Sequence, residues 1–306
     1  MASSTLASAT DSPARLPAPR RTFLQRFARN PAALVGGTML AVMVAAAVFA
    51  GALGLGSPRT LGAEPLAPPS LRHPFGTDDL GRDIWTGVLF GARVSLTVGI
   101  LAATTSAVIG TTVGSLAGYF GGATDNALMR LTEFFLVIPS FLLALILVAV
   151  SGPSIANVIL AIGLLGWPST ARVVRAEFMS LREREFVTAA RAIGVGTGRL
   201  VFRQILPNAA PPAVVITSLG VASAILVEAG LSFLGLGDPN LFSWGLMLRN
   251  SREFLRIAWW MPTFPGLAIF VTVLAVNLVG DGMNDAMNPR TAQRGRRRRG
   301  EERWSR

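Results

Sequence analysis

EFVTAARAIGVGTGRLVFRQILPN, residues 185–208, is a polar stretch between the fourth and fifth long apolar runs of a chain built largely from such runs. From Glu177 to Ala192 there is no proline or glycine, and glutamate, arginine, leucine and alanine dominate, so the local preference is helical. Phe186, Ala189, Ala190 and Ile193 recur at i, i+3, i+4 and i+7, which makes one apolar face opposite charged residues. Gly194 and Gly196 stop this helix, and a second short helix is expected from Thr197 to Leu206, ended by Pro207. Such a bent helical pair on one side of a membrane bundle offers a handle to a soluble partner. An amphipathic helix resting on anionic lipid would explain Arg182, Arg184, Arg191 and Arg199. It does not explain an alanine pair beside a glycine break, because a lipid-facing helix gains from larger apolar groups.

The rest of the chain supports a membrane setting. Of 306 residues, 51% are hydrophobic and 15% charged, and the mean hydropathy of +0.51 is too high for a water-soluble chain of this length. There is no cysteine, which excludes disulfides, thiolate metal sites and a catalytic thiol. The net charge of +11 does not point to nucleic acid, since the aromatic residues sit in apolar stretches and not among the basic ones. All 28 basic residues are arginine.

Six stretches are long enough to cross the hydrocarbon core, which takes roughly 20 apolar residues: 31–53, 95–119, 131–150, 155–173, 212–234 and 257–279. The fourth is interrupted by Asn157, Gly163, Gly166 and Pro168. With all six, the tail 1–30, the loop 177–208 and the tail 291–306 share one side, which carries three quarters of the arginines. That asymmetry puts both termini in the cytoplasm, and the first run reads as a retained anchor. The expected organisation is therefore a cytoplasmic tail over 1–30, a membrane domain over 31–290 and a disordered basic tail over 291–306.

In the second run Ala102, Ser106, Gly110, Gly114 and Gly118 place a small residue at every fourth position, a stripe along which two backbones can approach closely. Pro139 in the third run, and Pro262 and Pro265 in the sixth, predict broken hydrogen-bond ladders of the kind that suits a gated conduit. Glu228 lies well inside the fifth run, where a carboxylate is costly without a partner or a function. It is expected to make either a contact within the bundle or contact with a transported solute. Before the second run, Asp78 or Asp79 is expected to cap a helix lying along the membrane surface, with Arg82, Asp83 and the interfacial Trp85 at a pathway entrance. The only histidine, His73, reads as a loop residue.

The stretch first quoted resembles the EAA-type signature of ATP-binding-cassette importer permeases, in particular the dipeptide, oligopeptide and nickel branch. The pattern of an acid, an aromatic, V-x-A-A-R-A-x-G and then R-x-x-x-R-x-I-L-P-N is matched by Glu185, Phe186, Val187, Ala189, Ala190, Arg191, Ala192, Gly194, Arg199, Arg203, Ile205, Leu206, Pro207 and Asn208. Similar blocks are His73 to Leu96, LVEAGLSFLGLG at Leu226 to Gly237, SWG at Ser243 to Gly245, FPGLAIF at Phe264 to Phe270 and NLVGDGMNDAMNPR at Asn277 to Arg290. Family members often carry histidine at the position of Gln204, and arginine and aspartate at those of Asn284 and Asn288. The layout is like a C-type subunit.

The resemblance implies an all-α membrane protein with the six-helix type I importer permease fold and a cytoplasmic coupling helix. It implies a heterodimer with a homologous permease, two ATPase subunits that bind ATP and Mg, and an extracytoplasmic solute-binding protein, in a bacterial inner membrane. Glu185, Phe186, Ala189, Ala190, Arg191, Gly194, Arg199 and Pro207 would couple to the ATPase. The chain has no lysine and no G-x-x-x-x-G-K-[ST] phosphate loop, so it has no ATP site of the usual kind. No cofactor is expected in it. A membrane scaffold that docks a non-ATPase partner is the alternative. An ion-coupled carrier predicts several intramembrane ionisable groups and an internal repeat, and neither is present.

Overall fold

The computed structural model describes residues 23–52, 56–62 and 64–287. The expected tail 291–306 and most of the tail 1–30 lie outside them. Among the described residues the fold is all-α, with a single isolated bridge between Thr77 and Asp83. Five helices are long and apolar enough to cross a membrane, or six if one bent pair counts as a span.

A short helix α1 (Phe23–Phe27) leads to α2 (Pro31–Phe49). Asn30 caps α2 by accepting from the amides of Ala32 and Ala33, and Pro31 sits where a missing N–H costs nothing. At the other end of α2, Arg93 donates to the carbonyls of Ala47 and Val48, placing a cation at a helix C-terminus.

The second span is longer than expected. α3 runs from Ile84 to Phe120, 37 residues, or about 55 Å at 1.5 Å per residue. Its N-cap is Asp83, whose carboxylate accepts from the Thr86 amide at 2.8 Å. Neither Asp78 nor Asp79 is the cap, and among the described residues no separate helix lies between α2 and α3. With no proline between Asp83 and Gly121, the residues around Trp85 simply continue the helix.

The third expected span is a bent pair of helices. α4 (Gly122–Val137) and α5 (Ser140–Ser151) meet at Ile138 and Pro139 with a bend of 84°. Ile138 is extended, as a residue before proline prefers. The fourth span, by contrast, is one helix, α6 (Ile155–Arg182), which accommodates Pro168 and uses Gly163 and Gly166 for packing.

α3 and α6 pack along the small-residue stripe. A methyl group at Gly110 would stand 2.6 Å from Thr170 Cβ, at Gly118 2.6 Å from Phe178 Cβ, and at Gly163 2.7 Å from Thr105 Cβ. Those distances are too short for real carbon contacts, so the glycines are what let the two backbones meet.

α6 ends at Arg182, and after Glu183 and Arg184 the short α7 (Glu185–Ala192) begins, so the continuous helix expected over 177–192 is two helices. Nor does Pro207 end a helix. α8 (Thr197–Leu200) passes through a π-helical turn, Val201–Ile205, into α9 (Leu206–Phe233), with the Leu206 amide bonded to the Val201 carbonyl. This re-registration puts Pro207 in a first turn, where it is tolerated. Asn208 Nδ2 satisfies the Gln204 carbonyl at 2.6 Å.

α10 (Trp244–Asn250) and a 3₁₀ turn, Arg252–Phe254, precede α11 (Trp260–Met287). Ile257 to Trp259 thus lie before the sixth span. Pro262 falls in its first turn, and only Pro265 interrupts its ladder. The helix directions gather the starts of α3, α6 and α11 at one end with α10, and α7 and α8 at the other.

Candidate functional site

α7 is fixed to the bundle by one face and bare on the other. Val187 is fully buried and Ala190 nearly so, packed with Val174, Phe178 and Leu181 of α6 and with Leu200 and Ile205 beyond. Phe186, Ala189 and Ile193 point away, Ile193 being 81% exposed. Ala190, expected on the free face together with Ala189, is instead part of the core. The reason is that Val187 and Ala190, at i and i+3, form a second apolar edge, and that edge is the one that packs.

Around this face Glu185 lies in the first turn of α7, favourable for the helix dipole, and Arg191 lies in the last. The Arg191 guanidinium stands 5.4 Å from the Tyr119 ring. Gly194 has φ +78, a left-handed conformation that favours glycine, and Gly194, Gly196 and Gly198 all border open space. Arg199, Phe202 and Pro207 are exposed.

Beneath α7, the corner between α3 and α4 is gripped by one face of α6. Arg182 donates to the Gly118 carbonyl at 3.1 Å. Arg175 meets Asp125 through two parallel bonds of 2.5 and 2.7 Å, and Phe178 is fully buried between these arginines. The sequence reading contains none of these contacts. The available signal was Arg175, Phe178 and Arg182 at i, i+3 and i+7, one face of a helix.

Pro139 faces a groove. A space of about 620 Å³ opens between α3, the α4–α5 bend, α6 and α9. Ser106, Ser140, Ser169, Thr170, Thr217 and Ser223 lie along it, and among the described residues no charged side chain lines it.

Glu228 is elsewhere. It is 3% exposed and lies towards the α10 end, where Ser95 Oγ and Ser232 Oγ donate to its two oxygens at 3.1 and 2.7 Å. The space beside it is only about 10 Å³, shared with Asp238 and Ser243. The structure therefore does not bring Glu228 and Pro139 to one site, and the partners it gives Glu228 are serines of α3 and α9.

The predicted entrance residues lie together at the start of α3. Asp83 serves both as helix cap and as partner of His73 Nδ1 at 2.9 Å, so His73 is more than a loop residue. Arg82 Nε donates to Asp78 at 2.6 Å and its guanidinium covers Phe242. Trp85 packs edge-on against Phe75, which stacks on Phe264. Asp79 has one buried oxygen without a hydrogen-bond partner among the described residues. Trp244 is fully buried and donates to the Val88 carbonyl, and Trp260 donates to that of Thr77. Among the described residues no group of histidine and carboxylate side chains is arranged to hold a metal ion.

Residues 110–293 match the family model described as binding-protein-dependent transport system inner membrane component. Residues 18–69 match that of the N-terminal membrane domain of oligopeptide transport permease C. The chain is 42% identical to the dipeptide transport system permease protein DppC of Alkalihalophilus pseudofirmus, over 89% of this chain and 90% of that protein. It is 43% identical to DppC of Escherichia coli, over 90% and 94%, and 39% identical to the di/tripeptide transport system permease protein DppC of Pseudomonas aeruginosa, over 93% and 96%. Among solved structures, a chain of the MetNI methionine ABC transporter in inward-facing conformations aligns with a TM-score of 0.55 at 20% identity, covering 67% of this chain and 97% of that one.

Proposed function

The chain belongs to the family of binding-protein-dependent transport system inner membrane components, and from that premise we propose that it forms one membrane half of an ATP-driven importer of di- or oligopeptides. It is a multi-pass permease subunit. A homologous permease completes the pathway, two ATPase subunits bind ATP and Mg and drive the cycle, and an extracytoplasmic binding protein delivers the solute. The bent pair α4–α5 counts as the third of six spans, and both arginine-rich termini lie in the cytoplasm of a bacterial cell.

The observation that carries this reading is the division of labour on α7. Val187 and Ala190 fix it to the bundle, while Phe186, Ala189 and Ile193, with the open glycines beyond, leave a small apolar face for the ATPase. Arg191, Arg199 and Glu185 frame that face, and Pro207 lies in the first turn of α9, the helix that takes up the motion. The hydroxyl-lined, uncharged groove at Pro139 serves as this subunit's share of the path. Such a lining discriminates weakly between side chains, which leaves selection to the binding protein and accommodates peptides or a solute such as nickel. Asp79, Arg82, Asp83 and Trp85 mark the outer entrance.

Ile193→Asp tests the docking face, because the residue touches nothing that holds the fold. The expected result is normal membrane insertion with ATP-driven uptake reduced about tenfold or more, the effect of roughly 1.4 kcal/mol lost from docking. Unchanged uptake in reconstituted vesicles would remove α7 as the coupling element.

A further inference from the structure

The core that α7 packs into, Val174, Phe178, Leu181, Leu200 and Ile205, does not include the α4–α5 bend, so a route is needed from the docking face to the groove. The geometry points to Asp125 and Arg175 as positioning residues that make α4 follow α6 and α7, so that displacement of α7 is taken up as flexing at Ile138 and Pro139 and opens or closes the groove. This inference rests on the coupling role proposed for α7.

Three observations support it. First, α7 and the inner half of α6 are one packed unit, since Val187 and Ala190 share a core with Val174, Phe178 and Leu181. Second, the start of α4 is held to that unit by a bidentate carboxylate–guanidinium pair, with Asp125 itself buried. Two parallel bonds fix orientation as well as distance. Arg182 on the Gly118 carbonyl, and Arg191 over the Tyr119 ring, hold the same corner from α6 and α7. Third, the compliant points lie on either side of α4. Gly121, with φ +67, separates it from α3 and Gly122, with φ +52, opens it, while the 84° bend at Pro139 separates it from α5. A stiff helix clamped near one end and hinged at both must move with its clamp. Its far end carries Phe135 and Leu136 into the lining of the groove.

The chain has no cysteine, so spin labels can be placed one pair at a time. In the reconstituted complex, Ala127→Cys with Met179→Cys spans the clamp, and Ala127→Cys with Leu147→Cys spans the bend. Between the nucleotide-free state and the ATP–vanadate state, the first distance should stay constant and the second should shift. Asp125→Asn should retain ATP hydrolysis but lose uptake per ATP hydrolysed by roughly two- to thirtyfold, the span seen when a coupling network is interrupted. The exchanged pair Asp125→Arg with Arg175→Asp should recover part of that loss, which a merely disturbed fold would not.

A first distance that shifts as much as the second overturns the inference, and it does so even if Asp125→Asn fails to assemble. Unchanged uptake per ATP in Asp125→Asn beside an active parent complex overturns it as well, and leaves the α7 reading intact. A parent complex with no nucleotide-dependent change at either pair would overturn the coupling reading and this inference together.

Discussion

Gly114 shows what one residue decides in this bundle. A methyl group there would stand 2.9 Å from Val174 Cβ and 3.0 Å from the Arg175 amide, with no flexible side-chain tip that could yield. Gly37, also in a membrane helix, has nothing within 4 Å. Gly114→Leu is therefore expected to lower stability by about 1–3 kcal/mol, the usual cost of overpacking, and Gly37→Leu to be neutral. Thermal unfolding of the two variants in detergent checks this. The stripe is legible in the sequence because period four is a property of one helix alone. The burial of Ala190 is not, since α7 has apolar residues on two edges and periodicity does not say which edge its own chain will cover. The cap of α3 is ambiguous for a similar reason: Asp78, Asp79 and Asp83 lie within one short loop, and only the path of the loop selects Asp83.

Helices three, four and five of the expected set each contain a proline whose effect the sequence does not give. Length and hydropathy locate a span but are blind to an 84° break within it, although Pro139 marks the place. Pro168 and Pro207 look like interruptions in the sequence, yet neighbouring helices and a π-helical turn absorb them. If the bend at Pro139 is a working hinge, Pro139→Ala restores a backbone donor and straightens the joint. Uptake should then fall while the unfolding temperature stays level or rises. A loss of both would mean that the proline is needed only for packing.

At the scale of the molecule, hydropathy is enough for a multi-span helical membrane protein and the arginine asymmetry for an expected sidedness, because both are sums over many residues that no single contact can reverse. The permease reading comes from the resemblance of the 185–208 motif. The relation between spans is not readable, since it depends on which faces meet. Much apolar surface remains uncovered: Val42, Val48 and Phe49 on α2, and Phe134, Val137, Ile146 and Val150 on α4 and α5, are more than half exposed. Lipid covers part of it, and a sister permease is expected to cover the rest. Co-expression with that subunit should raise the yield of monodisperse protein in detergent, checked by size-exclusion chromatography. Equal yield of the chain alone would show that it needs no such cover.

Trp244, buried to its last atom and tied to the Val88 carbonyl, and Gly245, whose backbone lies so close to Ala229 that no side chain would fit, nail α10 onto α3 and α9. The binding protein proposed above, docking on that side, would land on a quay already built and spend little entropy on ordering the berth. Cargo preference can then drift in the visitor over generations without any rebuilding of the harbour wall.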